Sequence, residues 1–177
     1  MNVDIKQIRN FLYTQQHNIT HVAVLHTKFR TYHCEKKQID RMVEKAQVQC
    51  RHFRNVFNQF LYQAKSHRKP LLYQPLLITT IEGAHETPDA ANTIHFNFAL
   101  GNIPQCINTE ELKQVVEHCW VDKAKGSGKK IWLEDVKVGK NKGWIDYITK
   151  EAERGNIGTW DFENSQIPYA AFAADLS

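Results

Sequence analysis

Two short stretches carry side chains whose types and spacing suit chemistry on a charged substrate. The first is Thr93–Leu100, which reads Thr-Ile-His-Phe-Asn-Phe-Ala-Leu. Alternation along an extended strand sends Ile94, Phe96, Phe98 and Leu100 one way and Thr93, His95, Asn97 and Ala99 the other. His95 and Asn97 then share a face, roughly 6.6 Å apart along the strand. Glu82 closes the preceding apolar run, and an antiparallel pairing across the 83–92 loop would bring it beside them. A carboxylate, an imidazole and an amide oxygen suit Mg²⁺ or Mn²⁺ better than structural Zn²⁺. His85 is a less well placed substitute ligand because it sits in the loop. The competing reading is a half-exposed polar sheet face that binds no ion.

The second stretch is Gly143–Glu151, Gly-Trp-Ile-Asp-Tyr-Ile-Thr-Lys-Glu. On a helix Tyr147 shares a face with Lys150 and Glu151, three and four residues on. A tyrosine can attack phosphorus covalently once a metal polarises the phosphate, and a nearby lysine can stabilise the developing charge. The competing reading packs Trp144, Ile145 and Ile148 inward and leaves Tyr147 as a boundary residue.

Other motifs do not hold up. The Gly126–Lys130 segment lacks a Gly five residues before Gly128 and a Ser or Thr after Lys129, so it reads as a flexible basic hairpin rather than a phosphate loop. The pairs His21/His26 and His33/Cys34 read as structural or surface residues.

The elements that must position these side chains alternate along the chain. Residues 4–13 show a helical pattern with Ile5, Ile8, Phe11 and Leu12 on one face, and 20–29 reads as a strand. Residues 38–64 form the longest predicted helix. Strands follow at 71–81, 93–100 and 131–138. A helix capped by Asn108 or Thr109 runs to about Trp120, and a last helix spans 143–154. Strands separated by helices and loops predict an α+β domain, a central antiparallel sheet covered on one face, with residues 1–177 as a single unit.

Charge is unevenly placed. Residues 1–70 carry 13 basic and 4 acidic side chains, 71–122 carry 1 and 7, and the remainder 9 and 8. Two basic regions around an acidic middle fit a polyanion-binding surface; a solvated helix face with a loop explains the same counts. With 42% hydrophobic and 24% charged residues, disordered, collagen-like and coiled-coil classes are excluded. No apolar run approaches the ~18 residues of a membrane span, and no signal-peptide core opens the chain. The 4 cysteines lack metal or disulfide spacing, which predicts an intracellular protein.

The succession of an apolar strand, Ile-Glu82-Gly, Ile-His95-Phe-Asn97-Phe and Trp-Ile-Asp-Tyr147-Ile-Thr-Lys150 resembles the HUH endonucleases, and among them the rolling-circle replication initiators of phages and plasmids. The resemblance covers residues 20–154. It implies a ferredoxin- or RRM-like sheet flanked by helices, a divalent cation (Mg²⁺ or Mn²⁺), and a helix tyrosine that cleaves single-stranded DNA, leaving a 5′-phosphotyrosine and a free 3′-hydroxyl. Carried over, His95 matches the first histidine of the metal strand, Asn97 stands in place of the second, and Glu82 matches the acidic ligand. Tyr147 matches the nucleophile and Lys150 the lysine of its motif. Asn97 departs from the family pattern, although an amide oxygen still ligates a hard cation and some members carry Gln there.

The lone tyrosine on that helix face resembles the single-tyrosine subgroup. Arg51, Arg54, Lys129, Lys130, Lys140 and Lys142 are the expected phosphate contacts. Implied partners are single-stranded DNA at an origin and a host helicase and polymerase, with no membrane, in the cytoplasm of a host cell. Within the superfamily a relaxase or a transposase fits equally. Outside it stand a non-catalytic nucleic-acid-binding protein on the same scaffold and a small-molecule or RNA-processing metalloenzyme using Glu82 and His95 alone.

Overall fold

The computed structural model describes residues 5–129, 131–136, 143–147 and 160–168, with side chains from residue 10 in the first helix. In chain order these form α1 (Ile5–Thr14), a 3-10 turn (Gln16–Asn18), β1 (Ile19–Arg30), α2 (Lys36–Tyr62), α3 (Ala64–Arg68), β2 (Leu76–Glu82), β3 (Thr93–Gly101), α4 (Thr109–Glu117), a π-helical turn (His118–Lys123) and β4 (Trp132–Asp135). A further helical stretch covers 143–147. The four strands make one antiparallel sheet in the order β2-β3-β1-β4. The α+β class and the central antiparallel sheet expected from the sequence are both present. No helix among the described residues is long and apolar enough to cross a membrane.

Local signals set the helix starts. Asn108 caps α4: its side chain accepts from the Glu111 amide at 2.9 Å, while the Glu111 carboxylate accepts from the Asn108 amide at 3.0 Å. Glu110 and Glu111 in the first turn suit the positive end of the helix dipole. Glu35 and Gln38 close α2 in the same reciprocal way. Helix α2 stops at Tyr62, two residues short of the expected end, because Gln63 takes φ 50°, and the chain restarts as the short α3.

The second strand differs more. It begins at Leu76, not 71, and Leu71 and Leu72 are 65% and 44% exposed in turns. Pro75, immediately before β2, has no N–H to give to a ladder, so apolar character alone did not make residues 71–75 a strand. The β4 ladder is Trp132–Asp135, shorter than 131–138, and residues 137–138 lie outside the described set.

Both faces of the sheet are covered, where the sequence pattern predicted one. The first face gathers Ala23, Leu25, Leu77, Ile81, Ile94, Phe96, Phe98 and Leu100 against Phe53 and Phe57 of α2, Leu112 and Val116 of α4, and Trp120. The second gathers Val22, Leu76, Ile78 and Ala99 against Leu12 of α1, Ile145 and Trp160. The second cover is assembled from pieces remote in sequence. Residues 160–168 strap the β2 edge through bridges Thr80–Trp160 and Leu77–Gln166, and Arg51 of α2 pairs with Glu163.

Candidate functional site

Strand register builds the site. Glu82 lies opposite His95 across β2–β3, Thr80 opposite Asn97, and Ile78 opposite Ala99. On the other side of β3, β1 sets His26 opposite His95 and Val24 opposite Asn97. Partners directly opposite share a face, so Glu82, His95, Asn97, Thr80 and His26 stand together on the second face, as the period-2 reading predicted for His95 and Asn97. Gly83 lets the chain turn directly after Glu82. It takes φ +76°, and a Cβ there would sit 2.3 Å from the Thr93 carbonyl oxygen.

The polar atoms are oriented by their neighbours. His95 Nδ1 lies 3.0 Å from the Thr93 carbonyl. A carbonyl only accepts, so Nδ1 carries the proton and, in the neutral ring, Nε2 presents its lone pair. That Nε2 faces Glu82 Oε2 at 3.6 Å, too long for a hydrogen bond. Two acceptors opposed in this way, with side chains 18% and 9% exposed, are reconciled by a shared proton or by a cation. Asn97 is fully buried; its Nδ2 donates to Thr80 Oγ1 at 3.3 Å, and its Oδ1 has no hydrogen-bond partner among the described residues. A buried amide oxygen left without a donor costs about 1–3 kcal/mol, which a hard cation would relieve. A carboxylate, an imidazole nitrogen and an amide oxygen are donor types that a hard divalent cation accepts. No three His, Cys, Asp or Glu side chains converge to hold a metal ion among the described residues, so neither His85, exposed in its loop, nor His26 completes a trio with Glu82 and His95.

His26 is a member of the site that the sequence reading missed. Its ring stacks on His95, centroids 4.8 Å apart, and its Nδ1 meets Thr93 Oγ1 at 2.9 Å. Only the β1–β3 pairing, between strands not adjacent in the chain, brings the two rings together. Trp120 supports this row from behind by donating Nε1–H to the His26 carbonyl at 2.9 Å. The Gly126–Ser127 segment is anchored rather than a free hairpin. Gly126 N donates to Trp120 O, Ser127 N donates to His26 O, and a Cβ on Gly126 would meet the Trp120 indole at 2.1 Å.

Tyr147 lies over the same face. Trp132, opposite Val24, is in ring contact with Trp144 at 5.3 Å, and Trp144 stacks on Tyr147 at 5.2 Å with 24° between planes. Trp144 and Ile145 join the apolar cluster of that face, and Tyr147 stays 41% exposed. The packing reading of Trp144 and Ile145 and the accessible position of Tyr147 thus hold together. Asp146, beside it, accepts from the Tyr13 hydroxyl of α1, which ties the helical stretch down.

The basic residues separate into two groups. Arg51 and Arg54 both bind Glu163, through its carboxylate and its backbone carbonyl, and so join α2 to the strap. Lys129 instead lines an open cleft with His26, Lys28 and Arg30. Lys130, Lys140, Lys142 and Lys150 lie outside the described residues. The buried thiols are not nucleophiles: desolvation raises Cys50 and pushes Cys119 up to about 12. Compared with protein-family models, curated proteins and solved structures, the chain matches none.

Proposed function

We propose that this protein is a metal-dependent single-stranded DNA nickase and ligase of the HUH type, acting at a replication origin through Tyr147. The observation that carries the reading is the opposed pair of His95 Nε2 and Glu82 Oε2, with the orphaned Asn97 Oδ1 on the same buried strip and an exposed tyrosine over the same sheet face. Glu82, His95 and Asn97 would hold Mg²⁺ or Mn²⁺, which as a Lewis acid supplies polarisation of a phosphate oxygen. Tyr147 Oη attacks phosphorus and loses its proton. The new P–O bond to tyrosine replaces the bond to the 3′ oxygen, which takes up a proton and leaves as a 3′-hydroxyl. The reverse attack rejoins the strand. Lys150 would stabilise the charge gathered on the phosphate, and a host helicase and polymerase would extend the freed end. A relaxase or transposase uses the same chemistry on a different DNA end.

The experiment is a denaturing gel of the protein incubated with a pool of labelled single-stranded oligonucleotides and Mn²⁺. A boiling-resistant protein–DNA band that disappears with EDTA and with Tyr147→Phe is expected. A band that persists in Tyr147→Phe contradicts the assignment. An RNA-processing or small-molecule metalloenzyme would be indifferent to that substitution.

A further inference from the structure

Beside the Glu82–His95 row the sheet ends in an open cleft of about 650 Å³, lined among others by His26, Lys28, Arg30, Thr93, Ser127 and Lys129. The three cations are exposed, and none of them pairs with a carboxylate within 4 Å among the described residues. Their arrangement follows from register. Past His26 the β1–β3 register shifts, and Arg30 lies opposite Thr93, which shares the second face with His95, while Lys28 lies in the irregular stretch between and lines the same cleft. Lys129 is delivered by the turn that Gly126 and Ser127 dock onto Trp120 and His26. Two residues back along β1, about 6.6 Å away, Val24 carries Trp132 opposite it. Trp132 is 37% exposed and opens the Trp132–Trp144–Tyr147 ring ladder on the same face.

A basic cleft running into an aromatic ladder has the two components that a single polynucleotide strand needs: cations for its backbone and flat apolar faces for unpaired bases. We propose that Lys28, Arg30 and Lys129 hold the phosphodiester backbone of single-stranded DNA in this cleft while Trp132 stacks an adjacent base, leading the strand towards Tyr147. The inference rests on the nickase reading for its substrate and deepens it by giving the strand a path. Lys28 and Arg30 enter it from β1, and Arg51 and Arg54, occupied by Glu163, are not part of it. Duplex DNA satisfies only half of the site, because its bases are stacked on each other and cannot reach an indole.

The test measures binding alone, so that it does not depend on cleavage. A fluorescein-labelled oligothymidylate is titrated with the full chain in EDTA at several salt concentrations, and anisotropy is read. Combining Lys28→Gln, Arg30→Gln and Lys129→Gln is expected to flatten the slope of log affinity on log salt by about 2, at roughly 0.7 per lost phosphate contact. Trp132→Ala is expected to weaken binding about tenfold or more, and Trp132→Phe to restore most of it. A duplex of the same length should bind at least about tenfold more weakly. All four positions are solvent-accessible, and an unchanged circular dichroism spectrum checks each variant's fold. An unaltered salt slope in the triple variant, unaltered affinity in Trp132→Ala, or equal binding of duplex overturns the proposal. Wild-type binding that shows these effects, with no covalent adduct when the denaturing-gel assay is run in Mn²⁺, would sink the nickase reading and leave this one standing; a Mn²⁺-dependent adduct formed by a protein whose binding is unchanged in the triple variant and in Trp132→Ala would do the reverse.

Discussion

Phe98 and Asn97 are neighbours in β3 and both are buried, yet they serve opposite faces of one sheet. Phe98 packs on Phe53 and Phe96, with ring centroids 5.5 and 6.0 Å away, in a face closed by two helices. Asn97 has Thr80 on one side and no partner for its oxygen among the described residues on the other. The first face is apolar along β3 from Ile94 to Leu100, with Thr79 of β2, opposite Phe98, as a polar member. The second interrupts its apolar floor with a strip of Glu82, His95, Asn97 and Thr80 and covers the rest with short remote pieces. Stability resides in the first, and local inconsistency of the kind that marks functional sites is concentrated in the second.

Mutations in the two faces should therefore behave differently. The largest effect is expected from Phe98→Ala, which removes a fully buried ring from the helix-covered face and should cost about 3–5 kcal/mol in denaturant unfolding. A cost below about 1 kcal/mol would break the assignment of the main core. At the next position Asn97→Leu should leave stability in EDTA unchanged or raise it by about 1 kcal/mol, since it removes an unsatisfied buried acceptor. The same variant should lose the gain that Mn²⁺ gives the wild type, about 2.7 kcal/mol at a hundredfold excess over Kd. Destabilisation of Asn97→Leu as severe as that of Phe98→Ala would mean the amide is structural.

A smaller effect sharpens the contrast at the strap. Asp161 is 1% exposed, and burial raises its carboxyl above the usual range despite the hydrogen bonds from Asn164. The folded state thus holds the proton more tightly than the unfolded chain, so this group's contribution is full below the ordinary aspartate pKa and is lost as pH rises through the raised value. Asp161→Asn removes that penalty and supplies a donor where Asp161 Oδ1 and Asn164 Oδ1 both lack a partner among the described residues. Unfolding at neutral pH should show a gain of about 1 kcal/mol that vanishes below the ordinary aspartate pKa. A loss of stability at neutral pH would show that the ionised carboxylate is what the strap requires.

The first face was legible in the sequence because one period rules it: Ile94, Phe96, Phe98 and Leu100 alternate along β3, and Phe53 and Phe57 recur on α2 at helical spacing. His95 and Asn97 followed from the same alternation, and Glu82 from the short connection between β2 and β3. His26 did not, because its contact with His95 depends on β1 lying beside β3, a pairing that no local pattern encodes. The strap was equally hidden. Trp160 and Gln166 attach to β2 across some eighty residues of chain. The basic residues show the limit of charge counting: Arg51 and Arg54 look like a polyanion surface in the sequence, but each reaches Glu163. Charge counting does not single out Lys28 and Arg30, yet they line the cleft beside the site.

The most direct test of the account is a calorimetric titration of Mn²⁺ into the metal-free full chain, which requires no knowledge of the DNA sequence the protein acts on. One bound equivalent is predicted for the wild type, lost in His95→Ala and in Glu82→Gln while both variants remain folded. No binding to the wild type, or binding that survives both substitutions, would contradict the claim that the polar strip of the second face is a metal centre.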